Sequence, residues 1–222
     1  IADAYKDSVP VIFLTGQVPS KALGTDAFQE VPIVQITNCI TKYGRIITST
    51  DEIGRELRTA YHIATSGRPG PVLLDICKDA LLGSSTNGND GVSLPGYHPD
   101  SDVRLNEKEA DRLLEAFMNS EKPVIYAGGG VVSSNSSVQL REFANKHNVP
   151  VGMTLNGLGV IDGYDDLSLG MFGMHGSVQA NRAAKYSDFI LSLGSRFDDR
   201  VATFDFGENA QFGHVDIDAA EF

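Results

Sequence analysis

Short apolar runs that end at a glycine or a charged residue recur along this chain, and amphipathic segments separate them. Residues 71–76 and 189–193 are almost continuously apolar, which is typical of strands that are covered on both faces of a parallel sheet. Between them, Ile53, Leu57 and Ala60 recur at helical spacing. Strands that alternate with helices over this length predict an α/β fold with a doubly wound parallel sheet.

Turn residues and capping signals set the bounds of the predicted elements. Ser49 with Glu52, and Asn106 with Glu109, are patterns that begin helices. The other predicted elements are helices at residues 136–147 and 177–186 and strands at residues 9–15, 44–48, 71–76, 123–127, 150–154, 189–193 and 213–216.

Residues 84–104 are rich in serine, asparagine, glycine and proline and carry no apolar period. This composition predicts a linker between two domains, residues 1–83 and residues 105–222. The net charge of −11 argues against nucleic acid or an anionic membrane as a partner, and no apolar run could span a bilayer. Two cysteines cannot form a disulfide framework, so free thiols in a reducing, cytoplasmic compartment are expected.

A charged loop follows the predicted strand at residues 189–193. The strand stops at Gly194, and Arg196, Asp198 and Arg200 come directly after it. In open parallel sheets, ligands bind just beyond the carboxyl ends of the strands, so this loop is a candidate ligand site. The alternative is a loop held by surface salt bridges.

The glycines Gly128, Gly129 and Gly130 lie between a predicted strand and a helix. Glycines there permit positive φ and let backbone amides approach a diphosphate closely. The third glycine of the dinucleotide fingerprint is replaced by Ser133, so a tight turn without a ligand stays open as an alternative.

Asp216 follows Gly194 at the spacing of an acidic residue that accepts hydrogen bonds from ribose hydroxyls. The alternative is a helix cap, a role that Asp218 fits better, which would leave Asp216 free for a ligand. Met174 and His175 lie in a glycine-rich segment that suits a flat aromatic ligand, or a turn whose methionines fill the core. His175 has no second ligand at metal-binding spacing, so no metal site is predicted.

Candidate polar groups in the first domain also lie at element ends. The amide of an uncharged glutamine, Gln17 or Gln29, could contact a heterocycle, and Glu30 could be a general base or a solvated surface carboxylate. Arg68 and Lys78 could each bind an anionic ligand, with surface solvation as the alternative.

Together these residues resemble a known family. The resemblance is to the catalytic large subunit of the thiamine-diphosphate enzymes of the acetolactate (acetohydroxyacid) synthase family. It implies that residues 1–83 are the later part of a pyrimidine-binding domain and residues 105–222 most of a Rossmann-like central FAD-binding domain. The strings that carry it, in order and spacing, are residues 15–19, 24–30, 41–42, 66–72, 78–79, 128–130, 157–159, 173–176 and 196–201.

The resemblance implies an activity that joins two 2-oxo acids. Pyruvate is decarboxylated on thiamine diphosphate, which Mg²⁺ anchors, and the two-carbon unit adds to a second 2-oxo acid. This is the first common step towards valine, leucine and isoleucine, and the FAD does no net redox chemistry. The parent protein is expected to be a homodimer or tetramer, with a regulatory subunit as a possible partner.

The resemblance also implies roles for individual residues. Gln29 would lie near the thiamine cofactor, and Phe28 would line the acceptor pocket with Met174. Arg200 would pair with the acceptor carboxylate, and Lys78 would sit at the mouth of the substrate channel. The residues that would hold FAD are Arg68, Gly128, Gly129, Gly130, Thr154, Leu155, Gly173, Met174, His175, Gly194, Arg196, Asp198 and Asp216.

The chain departs from the family pattern in several places. Cys77 replaces a usual proline, and Asn156 a common methionine. In the family, the glutamate that activates thiamine lies upstream of the part matching Ile1, and the Gly-Asp-Gly metal motif lies downstream of Phe222. We therefore expect a fragment that is inactive by itself. The alternatives are another carboligase of the superfamily, such as glyoxylate carboligase, and a non-catalytic dinucleotide-binding module.

Overall fold

The computed structural model describes residues 1–85, 105–202 and 206–222 of the chain. They form two compact units, Ile1–Val103 and Arg104–Phe222, here called unit 1 and unit 2. Most of the predicted linker, residues 86–104, lies outside the described residues. Both units are α/β with parallel sheets, which confirms the predicted fold class.

Unit 1 is built on a three-stranded parallel sheet in the order β1-β3-β2. Helix α3 buries Ala60, Ile63 and Ala64 against the central strand, whose six residues are all buried. The elements are α1 (Ala2–Lys6), β1 (Ile12–Gln17), α2 (Ile33–Thr37), β2 (Tyr43–Ile47), α3 (Thr50–Thr65), β3 (Val72–Cys77) and α4 (Lys78–Leu82), with 3₁₀ turns at Ser20–Ala22 and Asn38–Ile40.

Unit 2 is built on a five-stranded parallel sheet in the order β6-β5-β4-β7-β8. Its elements are α5 (Glu107–Met118), β4 (Pro123–Ala127), α6 (Gly129–Ser133), α7 (Ser137–His147), β5 (Val151–Met153), β6 (Ser168–Met171), α8 (Val178–Tyr186), β7 (Phe189–Leu193), α9 (Asp199–Ala202) and β8 (Gln211–Val215), with 3₁₀ turns at Leu155–Gly157 and Ala219–Glu221.

The order of these strands creates a switch point. From β4 the chain adds β5 and β6 on one side, and it then returns to lay β7 on the other side of β4. The connections that follow β4 and β7 therefore leave the sheet in opposite directions. In folds of this kind a crevice opens at that point, outside the carboxyl ends of the two strands.

The residues of β4 show why the apolar runs are continuous. Ile125 packs with Phe117 of α5 and Leu140 of α7, whereas its neighbour Val124 packs with Ala180 of α8. Successive side chains of a strand point to opposite faces, so a strand covered by helices on both faces needs apolar residues throughout.

Some predicted bounds are wrong. Strand β1 begins at Ile12 rather than residue 9, because Pro10 has no N–H to donate to a sheet, and it continues to Gln17. Strand β8 spans Gln211–Val215 rather than residues 213–216. Strand β6 was not predicted, since it has four residues and includes Gly170 at a φ of +77°.

The two predicted capping patterns differ in outcome. The Asn106 side chain accepts a hydrogen bond from the N–H of Glu109, as predicted. The Ser49 side chain makes no such bond, and its backbone carbonyl accepts the N–H of Glu52 instead. Among the described residues, no helix is both long and apolar enough to cross a membrane.

Candidate functional site

The carboxyl ends of the five parallel strands of unit 2 form one edge of its sheet. All the residues of unit 2 that the family resemblance assigns to FAD follow a strand end at this edge, within a few positions. They are Gly128, Gly129 and Gly130 after β4, Thr154 and Leu155 after β5, Gly173, Met174 and His175 after β6, Gly194, Arg196 and Asp198 after β7, and Asp216 after β8.

The glycines at the switch point pack backbone against backbone. The N–H of Gly128 donates to the Leu193 carbonyl at 2.9 Å, and that of Gly130 to the Gly194 carbonyl at 3.0 Å. A Cβ on Gly128 would lie 2.1 Å from the carbonyl oxygen of Gly194. None of the three glycines after β4 uses the positive φ that glycine permits, whereas Gly194 has a φ of +56°. The tight turn by itself therefore explains why Gly128 and Gly130 are glycines, which agrees with the alternative of a turn without a ligand.

One amide of this turn remains available. The N–H of Gly129 has no hydrogen-bond partner among the described residues, whereas its two neighbours donate to β7 and the loop after it. A Cβ on Gly129 would come within 3.1 Å of the Asn156 side chain. Gly129 can thus offer its N–H to an anion at the switch point.

Arg196 brings positive charge to the same edge. Its side chain is half-buried, and within the described part of the chain Arg196, Asp198 and Arg200 form no ion pair. Asp198 instead accepts the N–H of Arg200 at 3.1 Å, at the start of α9. The side chain of Asp199 and residues 203–205 lie outside the described part of the chain, so the alternative of a loop held by surface salt bridges stays open. A guanidinium without a carboxylate partner suits a diphosphate.

Asp216 is less free than predicted. One carboxylate oxygen accepts the N–H of Asp218 at 2.9 Å, and the other lies 4.0 Å from Nε2 of His214. Nε2 of His214 donates to the carbonyl of Ser195 at 2.8 Å, because a carbonyl can only accept. Asp218 accepts the N–H of Ala220, which confirms its predicted capping role. Oδ2 of Asp216, which accepts no hydrogen bond from the described residues, is the oxygen most available to a ribose hydroxyl.

The segment after β6 is held against the loop after β7. The N–H of Met174 donates to the carbonyl of Arg200 at 3.0 Å, and a Cβ on Gly173 would lie 2.8 Å from the same oxygen. The Asn181 amide donates to the carbonyl of Gly173 and accepts its N–H. Met174 is 61% exposed and His175 is exposed, so the alternative that the methionines of this segment fill the core is wrong for Met174.

The turn after β5 completes the edge. Thr154 donates its N–H to the carbonyl of Ala127 and accepts the N–H of Gly157 on its hydroxyl. A Cβ on Gly157 would lie 2.3 Å from the carbonyl oxygen of Ala127. Leu155 is left exposed at the edge, where its side chain could contact a ligand.

Unit 1 has an open cavity of about 230 Å³ at the carboxyl edge of its own sheet. Asp75 lies at its base, fully buried, and accepts hydrogen bonds from the Thr15 hydroxyl and the Gln17 amide, each at 2.7 Å. The Gln17 amide also donates to the carbonyl of Val31 at 2.9 Å. The cavity is lined by Thr15, Gly16, Gln17, Gln29, Val31, Ile33 and Asp75.

The loop that carries Phe28 and Gln29 borders this cavity. Gln29 adopts a left-handed backbone with a φ of +64°, and Phe28 is 88% exposed. The carboxylate of Glu30 accepts the N–H groups of Gly24 and Ala27, and these bonds lower its pKa below the usual 4.5. Glu30 was expected to be a general base or a solvated surface carboxylate, and the structure shows a third role, in which the carboxylate holds its own loop.

The two basic residues of unit 1 that were predicted to bind a ligand, Lys78 and Arg68, lie at opposite ends of its strands. Lys78 begins α4 directly after β3, at the same edge as the cavity. Its neighbour Asp79 accepts two hydrogen bonds from Ser20, which join the turn after β1 to α4. Arg68 precedes β3, at the other end of the strands, and donates to the Ser8 hydroxyl at 2.9 Å.

Sequence patterns missed several residues that shape these edges. His214 and Asn181 act through hydrogen bonds to distant backbone, which leaves no periodic signal. Gln17 belongs to the predicted strand-end string 15–19, but no sequence pattern predicts its bond to the carbonyl of Val31. Asp75 could have been found, because a carboxylate within an otherwise apolar, buried run requires partners.

Comparison with known proteins identifies the relatives of the chain. The model of the thiamine pyrophosphate enzyme central domain matches residues 110–222. Acetolactate synthase 2, chloroplastic, of Nicotiana tabacum is 45% identical over 224 residues, which cover 100% of this chain and 33% of the relative. The acetolactate synthase large subunit of Lactococcus lactis is 46% identical over 224 residues, which cover 100% of this chain and 39% of that relative. The chain thus spans about a third of the length of these relatives, and the resemblance is confirmed.

Proposed function

This chain belongs to the thiamine pyrophosphate enzyme family, and on that premise we propose that it is part of the catalytic subunit of an acetolactate synthase. Its reaction would be decarboxylation of pyruvate and transfer of the two-carbon unit to pyruvate or 2-oxobutanoate, the first common step of branched-chain amino acid synthesis. The carrying observation is that plant and bacterial relatives of this name match the chain from end to end.

In this proposal, the carboxyl edge of unit 2 holds FAD. The N–H of Gly129 and the guanidinium of Arg196, which have no partner among the described residues, suit its diphosphate, and Oδ2 of Asp216 suits a ribose hydroxyl. The exposed side chains of Leu155 and Met174 offer apolar surface to the flavin ring. These donors and acceptors fit a dinucleotide, which would contribute structure rather than net redox chemistry.

The substrate-binding residues of the proposal are Phe28, Met174, Lys78 and Arg200. The Arg200 guanidinium would bind the carboxylate of the acceptor 2-oxo acid by paired hydrogen bonds. Its backbone carbonyl accepts the N–H of Met174, which joins the segments that carry the two side chains. The exposed ring of Phe28 would exclude water from the acceptor, and Lys78 would attract anionic substrate to the channel.

Gln29 would orient the thiamine cofactor through its side-chain amide. Thiamine diphosphate, anchored by Mg²⁺, supplies the carbanion chemistry of the reaction when bound. In the family the metal site and the activating glutamate are formed by sequence outside the matching region. Further parts of the proposal are a homodimeric or tetrameric protein, a regulatory subunit as a partner and a cytoplasmic location.

The test uses the natural gene product that contains these 222 residues. We expect it to carry a yellow chromophore that pyruvate does not bleach, and to form acetolactate from pyruvate when thiamine diphosphate and Mg²⁺ are added. The 222-residue chain alone should form none. A gene product that ligates only glyoxylate would assign another carboligase. Bound flavin or nicotinamide that couples to NADH oxidation would contradict the proposal.

A further inference from the structure

The buried carboxylate of Asp75 is the starting point. Asp75 lies on the central strand of unit 1, with no exposed surface and no cationic partner among the described residues. Its oxygens are served by two neutral donors, the Thr15 hydroxyl and the Gln17 amide. Such a group is costly to bury, so its retention in an apolar strand calls for a specific role.

Gln17 links this carboxylate to a loop. Nε2 of Gln17 carries two hydrogens, and it donates to Oδ2 of Asp75 at 2.7 Å and to the carbonyl of Val31 at 2.9 Å. Oε1 of the same side chain accepts the N–H of Val18 at 2.8 Å. The amide orientation is therefore fixed, because a rotated amide would face Asp75 and Val31 with its oxygen. We call this chain of bonds the Asp75–Gln17–Val31 tether.

The tether ends beside a strained residue. Gln29 has a φ of +64°, a conformation that costs a non-glycine residue on the order of 1 kcal/mol. On one side of it, the Glu30 carboxylate holds the N–H groups of Gly24 and Ala27. On the other side, the tether holds the carbonyl of Val31. The two clamps fix the backbone on either side of Gln29.

We propose that Asp75 and Gln17 are positioning residues, which hold Phe28 and Gln29 in place for the acceptor and the thiamine cofactor through the carbonyl of Val31. The inference rests on the proposed function for the roles of Phe28 and Gln29. Neither Asp75 nor Gln17 contacts a substrate in this account. The geometry of the loop depends on them because strain in the backbone persists only where its surroundings fix it.

Two variants separate the effect of the tether on the loop from the effect of the buried hydrogen bond between positions 75 and 17 on stability. Asp75→Asn alone keeps an oxygen for the Gln17 amide, so the tether survives without the charge. In the double variant Gln17→Glu with Asp75→Asn, the new amide at position 75 can donate to the new carboxylate at position 17, which restores the buried pair. The new carboxylate also faces the carbonyl of Val31, and repulsion between the two oxygens breaks the tether.

Tyr43→Phe is the matched control for lost stability. The Tyr43 hydroxyl donates to the buried Glu56 at 2.8 Å, in the same unit but away from the loop. The Glu56 carboxylate still forms ion pairs with Arg45 and Arg55 in this variant. Tyr43→Phe therefore removes one hydrogen bond and no contact of the loop.

Hydrogen exchange of residues 24–31 in the 222-residue chain is the first measurement. The double variant should speed exchange in this loop about tenfold, the equivalent of one lost hydrogen bond, whereas Asp75→Asn and Tyr43→Phe should leave it within about twofold. Exchange in the double variant no faster than in Tyr43→Phe would overturn the proposal.

Kinetics of the natural gene product are the second measurement. The double variant should raise KM for pyruvate about tenfold more than Tyr43→Phe does at equal loss of melting temperature. Faster hydrogen exchange in the loop with an unchanged KM for pyruvate would show that the tether contributes only to stability, and would overturn its positioning role. Absence of acetolactate from the unchanged protein would instead overturn the proposed function, while the exchange result still decides whether the tether holds the loop.

Discussion

The two units hold the carboxyl edges of their sheets by different means. In unit 1 the edge depends on side chains: Asp75 and Gln17 join strand to loop, and Asp79 joins α4 to the turn after β1. At the switch point of unit 2 the edge depends on the absence of side chains, since the backbones at Gly128 and Gly194 approach too closely for any Cβ.

This contrast predicts how each edge responds to change. Hydrogen bonds to carboxylates depend on pH and can be weakened one at a time. Backbone contacts between glycines carry no charge and tolerate no added atom, because packed backbone cannot move aside as a flexible side chain can. The edge of unit 1 should thus be adjustable, whereas the switch point of unit 2 should respond to substitution in an all-or-none way.

The largest expected effect is that of Gly128→Ala. Its Cβ would lie 2.1 Å from the Gly194 carbonyl oxygen, so the turns after β4 and β7 must separate, at a cost of about 3 kcal/mol in the free energy of unfolding. The control is Gly163→Ala, where a Cβ meets nothing within 4 Å. Urea denaturation should show the loss only in the first variant, and equal stabilities would break the comparison.

Asn181→Ala should have the next largest effect, because it removes both hydrogen bonds that the side chain makes to Gly173. Loss of the pair predicts about 2 kcal/mol lower stability, measured by thermal denaturation. Gln179→Ala, at an exposed position of the same helix, is the control and should be nearly neutral. A neutral Asn181→Ala would contradict the claim that this side chain holds the segment after β6.

Acidification should loosen the edge of unit 1. Backbone N–H bonds lower the pKa of Glu30 from 4.5, and bonds from Ser20 lower the pKa of Asp79 from 3.8. Because both folded-state pKa values lie below the unfolded ones, their stabilisation is present above about pH 4.5 and is lost as the pH falls through the folded values. The amide NMR signals of Gly24 and Ser20 should therefore titrate in acid.

Two control measurements accompany this titration. Glu30→Gln should abolish the acid response of Gly24 while that of Ser20 remains. The amide of Gly130, which donates to a carbonyl in unit 2, should show no titration of its own hydrogen bond. A Gly24 amide signal that does not shift with pH would contradict the hydrogen bond between Gly24 and the Glu30 carboxylate.

The smallest expected effect is a gain. Gly54 lies within α3, its φ is not positive, and a Cβ there would meet nothing within 4 Å. Gly54→Ala should stabilise unit 1 by about 0.5–1 kcal/mol, because alanine loses less conformational freedom in a helix. If Gly54→Ala instead has a lower melting temperature than the unchanged chain, the contrast between the units is contradicted. Unit 1 would then also depend on a glycine.

Local patterns predicted the fold better than the site. Continuous apolar runs identified β4 and β7 to the residue, because burial on both faces leaves a clear signal. The strand ends then placed Gly128 and Arg196 at one edge. The hydrogen bonds of Asn181 and His214 could not be predicted, since they join residues through tertiary contacts that no spacing encodes.

The most direct test of the account is titration of the 222-residue chain with FAD, followed by flavin fluorescence. If the switch point between β4 and β7 holds the diphosphate, FAD should bind much more tightly than riboflavin, and Arg196→Leu should weaken FAD binding about tenfold. Arg182→Leu, which removes an exposed arginine of α8, should not. Equal affinity for FAD and riboflavin, or equal binding by both variants, would contradict the account.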